Sequence, residues 1–292
     1  MKHKKINFWP GIFIGPHLIL FLIFFLAPAV FGVCIAFTDW DLYSTPIFVG
    51  LDNFKTILFD TESIYHEQFL NGVKNTLLFV AMEVPLCIIV PLFLAVMLSA
   101  RPFLHKFYQS LIYLPTLFAI SAVMIIWGFQ LSLSYGPFQE WFGLDVNLTA
   151  TQPWAWIAIV VVTLWWGAGG NMIIYVAALN AVPKEQLEAA QLDGAGNVAR
   201  FFKIILPNIR SQILFTTVMT TISQFNIYGQ PLMLTSGGPN NSTRVLMMYI
   251  QQNAFGTGIS TAGMSAAMAV LLGLIIMVFS SIQFVMNRKS NA

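Results

Sequence analysis

Polar side chains embedded in apolar runs are where this sequence could do chemistry. Asn171 and Tyr175 lie in the run that ends near Leu179, and Thr220, Gln224 and Asn226 lie in the run that ends near Thr235. Polar groups in such runs are expensive and turn towards a bundle interior or a cavity. Uncharged amides and hydroxyls beside Phe225 and Tyr228 suit a neutral, hydroxyl-rich ligand, since an amide both donates and accepts and each ring adds an apolar face. Hydrogen bonding between helices, with no ligand, is the competing reading. Gly167, Gly169 and Gly170 interrupt the first of these runs and leave room for a ligand or a close helix. Glu83 is a lone acid within another run. It suits a structural pairing, a cavity-facing acid or, given partners, a proton relay.

Other chemistries find little support. His3, His17, His66 and His105 are scattered, and neither HExxH nor paired intramembrane acids occur, so an enzyme reading has no cluster to rest on. His17 reads as a polar residue near an interface. No GxxxxGK[ST] is present to cradle nucleotide phosphates, and Ser236-Gly237-Gly238 lacks the rest of any nucleotide signature. Cys34 and Cys87 read as small packing residues rather than a disulfide or metal pair.

The elements that must position these residues are membrane helices. Hydrophobic residues form 57% of the 292-residue chain and charged residues 9%, against roughly 25% charged in a soluble domain. That is too few charges for a solvated shell, so apolar surface must face lipid. The net charge of +2 says little about partners, and no basic run is long enough to suggest nucleic-acid binding; no nucleic acid is expected, and membrane lipid is. Lys2-His3-Lys4-Lys5 precedes an apolar stretch too long for a signal-peptide core, which predicts a retained first helix. An all-α integral membrane protein with six transmembrane helices is predicted, near Ile12–Phe37, Thr76–Leu98, Ser110–Phe129, Trp154–Leu179, Ile213–Thr235 and Ala262–Met286. A cytoplasmic amino end puts only Lys55, Lys74 and Arg244, of 14 Lys and Arg, on outer segments. That bias predicts both termini inside. Trp141, Trp154 and Trp156 suit an interfacial belt. The chain reads as one transmembrane domain, 1–292, with a structured inner loop at 180–212.

That loop is amphipathic and charged. Pro183 suits a first helical turn, Glu185 complements the helix dipole there, and Leu187, Ala189 and Ala190 are strong helix formers. Gly194 and Gly196 permit a reversal, after which Asn197 could cap a second short helix to about Ile205. A helix–turn–helix with small side chains at its turn suits docking to another protein, or resting on lipid headgroups.

Glu188-Ala189-Ala190, then Gly194, then Ile205-Leu206-Pro207 resembles the EAA loop of ATP-binding-cassette importer permeases. Phe48-Val49-Gly50-Leu51-Asp52-Asn53-Phe54 and Leu234-Thr235-Ser236-Gly237-Gly238-Pro239, followed by Thr243, are similar to segments of the maltose-type, first-permease carbohydrate branch, which also handles glycerol phosphate. The resemblance covers essentially the whole chain, without the extra helices and large external domain of the maltose permease proper. It implies a type I importer permease fold, both termini cytoplasmic, in a bacterial cytoplasmic membrane. It makes the loop a coupling helix docked on a separate ATPase, through Glu188, Ala189, Ala190, Asp193 and Gly194. Thr220 and Gln224 fall at offsets comparable to the branch's sugar contacts. The implied partners are a second homologous permease, two ATPase subunits that hold the ATP and Mg, and an extracytoplasmic solute-binding protein. This chain itself would bind no cofactor. The implied function is alternating-access import of a sugar or oligosaccharide, with glycerol phosphate as a variant. A proton-coupled secondary carrier is the rival.

Overall fold

The computed structural model describes residues 9–289 except Arg101, Tyr135, Leu144 and 257–260. The basic cluster Lys2-His3-Lys4-Lys5 and Arg101 therefore lie outside the described residues. The chain is helical almost throughout. It runs through α1 (Trp9–Phe21), α2 (Ala27–Ile35), a two-stranded antiparallel ribbon of β1 (Thr38–Asp39) and β2 (Ile47–Phe48), α3 (Asp52–Phe59), α4 (Ile64–Ser99), α5 (His105–Tyr113), α6 (Ile120–Gln130), α7 (Pro137–Phe142) and α8 (Trp154–Asn180). It continues through α9 (Lys184–Leu192), α10 (Asn197–Arg200), α11 (Leu206–Asn208), α12 (Arg210–Phe225), α13 (Gly229–Thr235), α14 (Leu246–Phe255) and α15 (Ala262–Lys289).

Contacts divide the chain into two compact units. One comprises the chain up to Phe69 with Tyr249–Leu272, and the other comprises Leu70–Met248 with the chain from Gly273. In the first unit α1 and α2 form one apolar rod, joined by a π turn at Leu22–Leu26. Pro28, which lacks an N–H, follows two residues later and cannot serve the usual ladder; Ala27 donates to the Leu22 carbonyl instead. The loop after α2 is closed by Asn53, which is buried and donates to the Ala36 and Thr38 carbonyls at 3.0 and 2.9 Å. Gly263 packs there because a Cβ would collide with the Thr38 carbonyl oxygen.

Among the described residues, four helical segments are long and apolar enough to cross a bilayer unaided: Phe13–Ile35, Ile64–Ser99, Trp154–Asn180 and Ala262–Met286. The predicted third span is not straight. α5 runs into a tight turn at Leu114–Leu117, and α6 leaves it bent by 98°. Pro115 removes a ladder N–H, and Phe118 and Ala119 are extended. The Phe118 carbonyl freed by the bend accepts from the Trp166 indole at 3.2 Å. The predicted fifth span is split, with α12 ending at Asn226 and α13 starting after Tyr228. The second unit's core packs Phe79, Met124, Ile159 and Val162 between α4, α6 and α8. Trp156 belongs to this core, stacked on Phe79 at 6.1 Å, so it is not a belt residue; Trp141 is exposed.

Candidate functional site

Three helices of the second unit each offer polar side chains at four-residue spacing, which places them on one helical face. These are Glu83 and Cys87 on α4, Asn171 and Tyr175 on α8, and Thr216, Thr220 and Gln224 on α12. The faces meet. Tyr175 and Thr216 share a hydrogen bond of 2.6 Å between hydroxyls. Asn171 Nδ2 donates to Thr220 Oγ1 at 3.0 Å and to the Cys87 carbonyl at 2.9 Å. Gln224 Nε2 lies 3.9 Å from Cys87 Sγ.

The Asn171 contact has a local cause. Pro91 sits four residues after Cys87 inside α4. With no N–H, it leaves the Cys87 carbonyl without its ladder donor. The amide of Asn171 supplies that donor from α8. Buried carbonyls are rarely left unpaired, so the proline on one helix and the asparagine on another form one device.

Beside this seam opens a cavity of about 360 Å³. Asn171, Thr220, Gln224 and Asn226 line it, together with Gly167, Trp166 and Gln230. Four of the six sequence candidates are thus gathered in one place. Tyr175 and Tyr228 are not. Tyr175 is fully buried, with its hydroxyl committed to Thr216, and Tyr228 packs against the core. The glycines divide by role. A Cβ on Gly167 would meet nothing within 4 Å, whereas one on Gly169 would lie 2.7 Å from the Ile112 carbonyl oxygen and Tyr113 Cα. Gly169 therefore lets α8 approach the α5 backbone, and α8 runs on through all three glycines without a break.

The cavity's polar groups retain free valences. Thr216, Thr217 and Thr221 donate back to carbonyls of the preceding turn, but Thr220 makes no such bond, so its hydroxyl hydrogen is available. Gln230 is buried, and its amide has no side-chain partner among the described residues. Thr163 Oγ1, also on the lining, is buried without a partner there. The break between α12 and α13 borders the same space through Asn226, Ile227 and Gln230. Non-helical backbone at membrane depth is tolerated where it lines a cavity. Sequence reasoning missed Gln230, Thr163 and Cys87. The Pro91 spacing was the available signal for Cys87, but nothing local marked the other two.

Glu83 is fully buried and is not on the lining. Its Oε1 accepts from the Cys87 thiol at 3.1 Å, and Oε2 has no partner among the described residues. Glu83 thus touches the cavity through Cys87, and its contact is not a second acid.

The 180–212 loop follows its sequence closely. α9 ends in a Gly-terminated reversal: Gly194 has φ +79°, its N–H donates to the Gln191 carbonyl, and Ala195 N–H reaches the Ala190 carbonyl at 2.9 Å. Two local expectations are corrected. Pro183 stands at the cap rather than in the first turn of α9, and Gly196 rather than Asn197 precedes α10. Asn197 instead accepts a hydrogen bond from Arg200. The inner side of the loop is anchored, since Val182 and Ile209 pack with Leu187 and Ile205. Asn208 Nδ2 donates to Gln186 Oε1 at 2.9 Å and ties the loop's two ends. Glu188, Ala189, Asp193 and Gly194 are exposed and Ala190 is half-buried. Leu192 and Val198, at 89% and 72% exposure, present apolar surface at the turn with no covering from this chain.

The segment Leu234–Pro239 with Thr243 is a built turn. Thr243 is fully buried, donates to the Gly238 carbonyl at 2.8 Å and meets Thr235 Oγ1 at 2.7 Å. Asn75 on α4 donates to the Asn241 and Arg244 carbonyls at 2.8 and 2.9 Å. These residues position backbone and lie away from the cavity lining.

A helical membrane protein with a polar cavity beside a broken helix, and an exposed rigid loop between α8 and α12, has the build of a transport permease. The chain belongs to the family described as binding-protein-dependent transport system inner membrane component, whose pattern matches residues 57–291. It is 31% identical, over 99% of its length and 97% of the relative's, to the probable starch degradation products transport system permease protein AmyD of Thermoanaerobacterium thermosulfurigenes. It is 33% identical to the probable ABC transporter permease protein YesP of Bacillus subtilis, covering 94% of this chain and 90% of that one. It is 32% identical to the sn-glycerol-3-phosphate transport system permease protein UgpA of Escherichia coli, covering 94% and 92%. A chain of a bacterial alginate ABC transporter, crystallised with an alginate pentasaccharide-bound periplasmic protein, superposes with a TM-score of 0.80 at 25% identity, covering 95% of this chain and 93% of that one. The chain is a multi-pass membrane component of a transport system, with the type I importer permease fold.

Proposed function

We propose that this chain is the permease subunit of an ATP-driven importer that carries a neutral sugar or oligosaccharide. The observation that carries this reading is the cavity lining. Asn171, Thr220, Gln224 and Gln230 supply amide and hydroxyl groups, Trp166 supplies an aromatic wall, and no Lys, Arg, Asp or Glu among the described residues lines the space. Sugar hydroxyls both donate and accept, as amides do, and a ring face suits the apolar side of a pyranose. The carbohydrate names of the relatives support the same class. Glycerol phosphate is disfavoured, because an anionic solute calls for a cation that this lining lacks.

In this reading the chain crosses the bilayer six times, with the bent α5–α6 pair as third span and α12–α13 as fifth. The whole chain acts as one permease domain, and both termini and the 180–212 loop face the cytoplasm, as the charge bias requires. A second homologous permease completes the pathway, and an extracytoplasmic solute-binding protein delivers the sugar. Two ATPase subunits, holding ATP and Mg, dock on the loop. Glu188 and Asp193 give the loop an acidic face, Ala189 and Ala190 allow close approach, and Gly194 sets the turn. Closure of the ATPases then moves a loop fixed to α8 and α12, the two helices that carry Asn171, Thr220 and Gln224. Alternating access follows from that shared anchorage.

The test is binding by the associated solute-binding protein, measured by calorimetry against mono- and oligosaccharides, glycerol phosphate and amino acids. Affinity for a neutral saccharide is expected. High affinity for an amino acid alone would overturn the assignment.

A further inference from the structure

A second cavity, of about 460 Å³, lies where three helix ends converge. α4 ends at Ser99, α5 begins at His105 and α8 ends at Asn180. Helix ends of membrane spans mark the level of the lipid headgroups, since α4 and α8 are long enough to cross the hydrocarbon. Its polar lining is Ser99, His105, Lys106, Gln109 and Asn180, over a floor of Leu98 and Val176. No acid is among these residues. The Ser99 hydroxyl is committed to the Ala95 carbonyl at 2.8 Å. The side chains of His105, Lys106, Gln109 and Asn180 have no hydrogen-bond or ion-pair partner among the described residues. α5 also starts there without a side-chain cap, at Leu104 in the left-handed conformation. Its first N–H groups add a partial positive charge to the same corner.

The floor of the cavity is apolar, formed by Leu98 and Val176. A ligand seated here meets ammonium, imidazole and amide donors at one end and this apolar floor at the other. A small soluble anion uses only the first. An amphipathic anion uses both, and basic pockets between membrane helices at this level suit acidic headgroups.

We infer that this cavity binds the phosphate headgroup of an anionic phospholipid, with the start of the acyl chains against Leu98 and Val176. The site is separate from the polar cavity at Asn171 and Thr220, and it does not depend on which solute is carried. A bound lipid would brace the start of α5 against the end of α8, just before α8 passes into the 180–212 loop.

The experiment is native mass spectrometry of the full chain, in the assembly in which it purifies, after delipidation. It is then offered equimolar phosphatidylglycerol and phosphatidylcholine with identical acyl chains. Phosphatidylglycerol is expected to exceed phosphatidylcholine by about fivefold, the scale of one cation at a membrane surface. Lys106→Gln should remove the preference, and Lys106→Arg should keep it. Lys74→Gln, remote in sequence and exposed, should leave it intact and so controls for overall charge. Equal occupancy by the two lipids, or a preference that survives Lys106→Gln, overturns the proposal. Displacement of the lipid by millimolar inorganic phosphate also overturns it, since the site would then belong to a soluble phosphate.

Discussion

The pairing of Pro91 with Asn171 makes a sharp energetic prediction. Asn171→Ala removes the donor to the Cys87 carbonyl, and Pro91 prevents α4 from replacing it. A partly buried carbonyl left unpaired costs about 1–3 kcal/mol. Loss of the second bond, to Thr220, adds about 1 kcal/mol. Asn171→Ala alone should therefore cost about 2–4 kcal/mol. Pro91→Ala returns an N–H four residues after Cys87 and lets α4 satisfy that carbonyl itself. In the Pro91→Ala background, Asn171→Ala should lose only the Thr220 bond and cost about 1 kcal/mol. The coupling between the two positions is then about 1–3 kcal/mol, well above the scatter of additive pairs. The assay is the midpoint of heat or SDS unfolding of the four proteins in one detergent, followed by tryptophan fluorescence. Additivity within about 0.5 kcal/mol would refute the reasoning, because Asn171 would then do nothing for the carbonyl that Pro91 leaves open.

Further outcomes follow from the same packing. Gly169→Ala should lower stability by about 1–3 kcal/mol, since its Cβ meets backbone rather than a movable side chain. Gly167→Ala, whose Cβ meets nothing, should hold or raise stability by up to about 1 kcal/mol and weaken transport only, since it lines the cavity. Thr220→Val and Gln230→Leu should each reduce solute affinity in transport assays about tenfold, as loss of one or two hydrogen bonds requires, with unchanged expression. Thr243→Val should cost about 1–3 kcal/mol of stability by leaving the Gly238 carbonyl unpaired, while solute affinity in the folded fraction stays at the unsubstituted value.

Much of the loop was legible because its geometry is local. Small helix formers, a glycine at the reversal and an apolar anchor are all encoded between Val182 and Ile209, and the structure forms them there. The family segments were also legible, although their roles differ from the cavity residues. Asn53 and Thr243 hold loop carbonyls, so such residues identify the fold rather than the solute. The bends were not legible. Hydropathy reports how apolar a run is and says nothing of its continuity, so the bend at Leu114–Leu117 and the break after Asn226 were hidden within apparent spans. Tyr175 lies off the lining for a related reason: a polar tip in an apolar run must find a partner, and Thr216 one helix away serves as well as a ligand. Gln230 carries no signal in the sequence, because the break that exposes it is hidden within an apparently plain span.

The central claim is that a cavity for a neutral saccharide is worked by an ATPase acting on the loop around Glu188. The most direct measurement is uptake of labelled oligosaccharide into proteoliposomes holding the full assembly and its binding protein, with ATP present or absent, for the unsubstituted chain and Glu188→Lys. Uptake that requires ATP and falls at least about tenfold in the variant, the scale of one charge-assisted contact, with the protein still in the membrane, is the expected result. Uptake driven by a proton gradient without ATP, or undiminished in Glu188→Lys, would contradict the account.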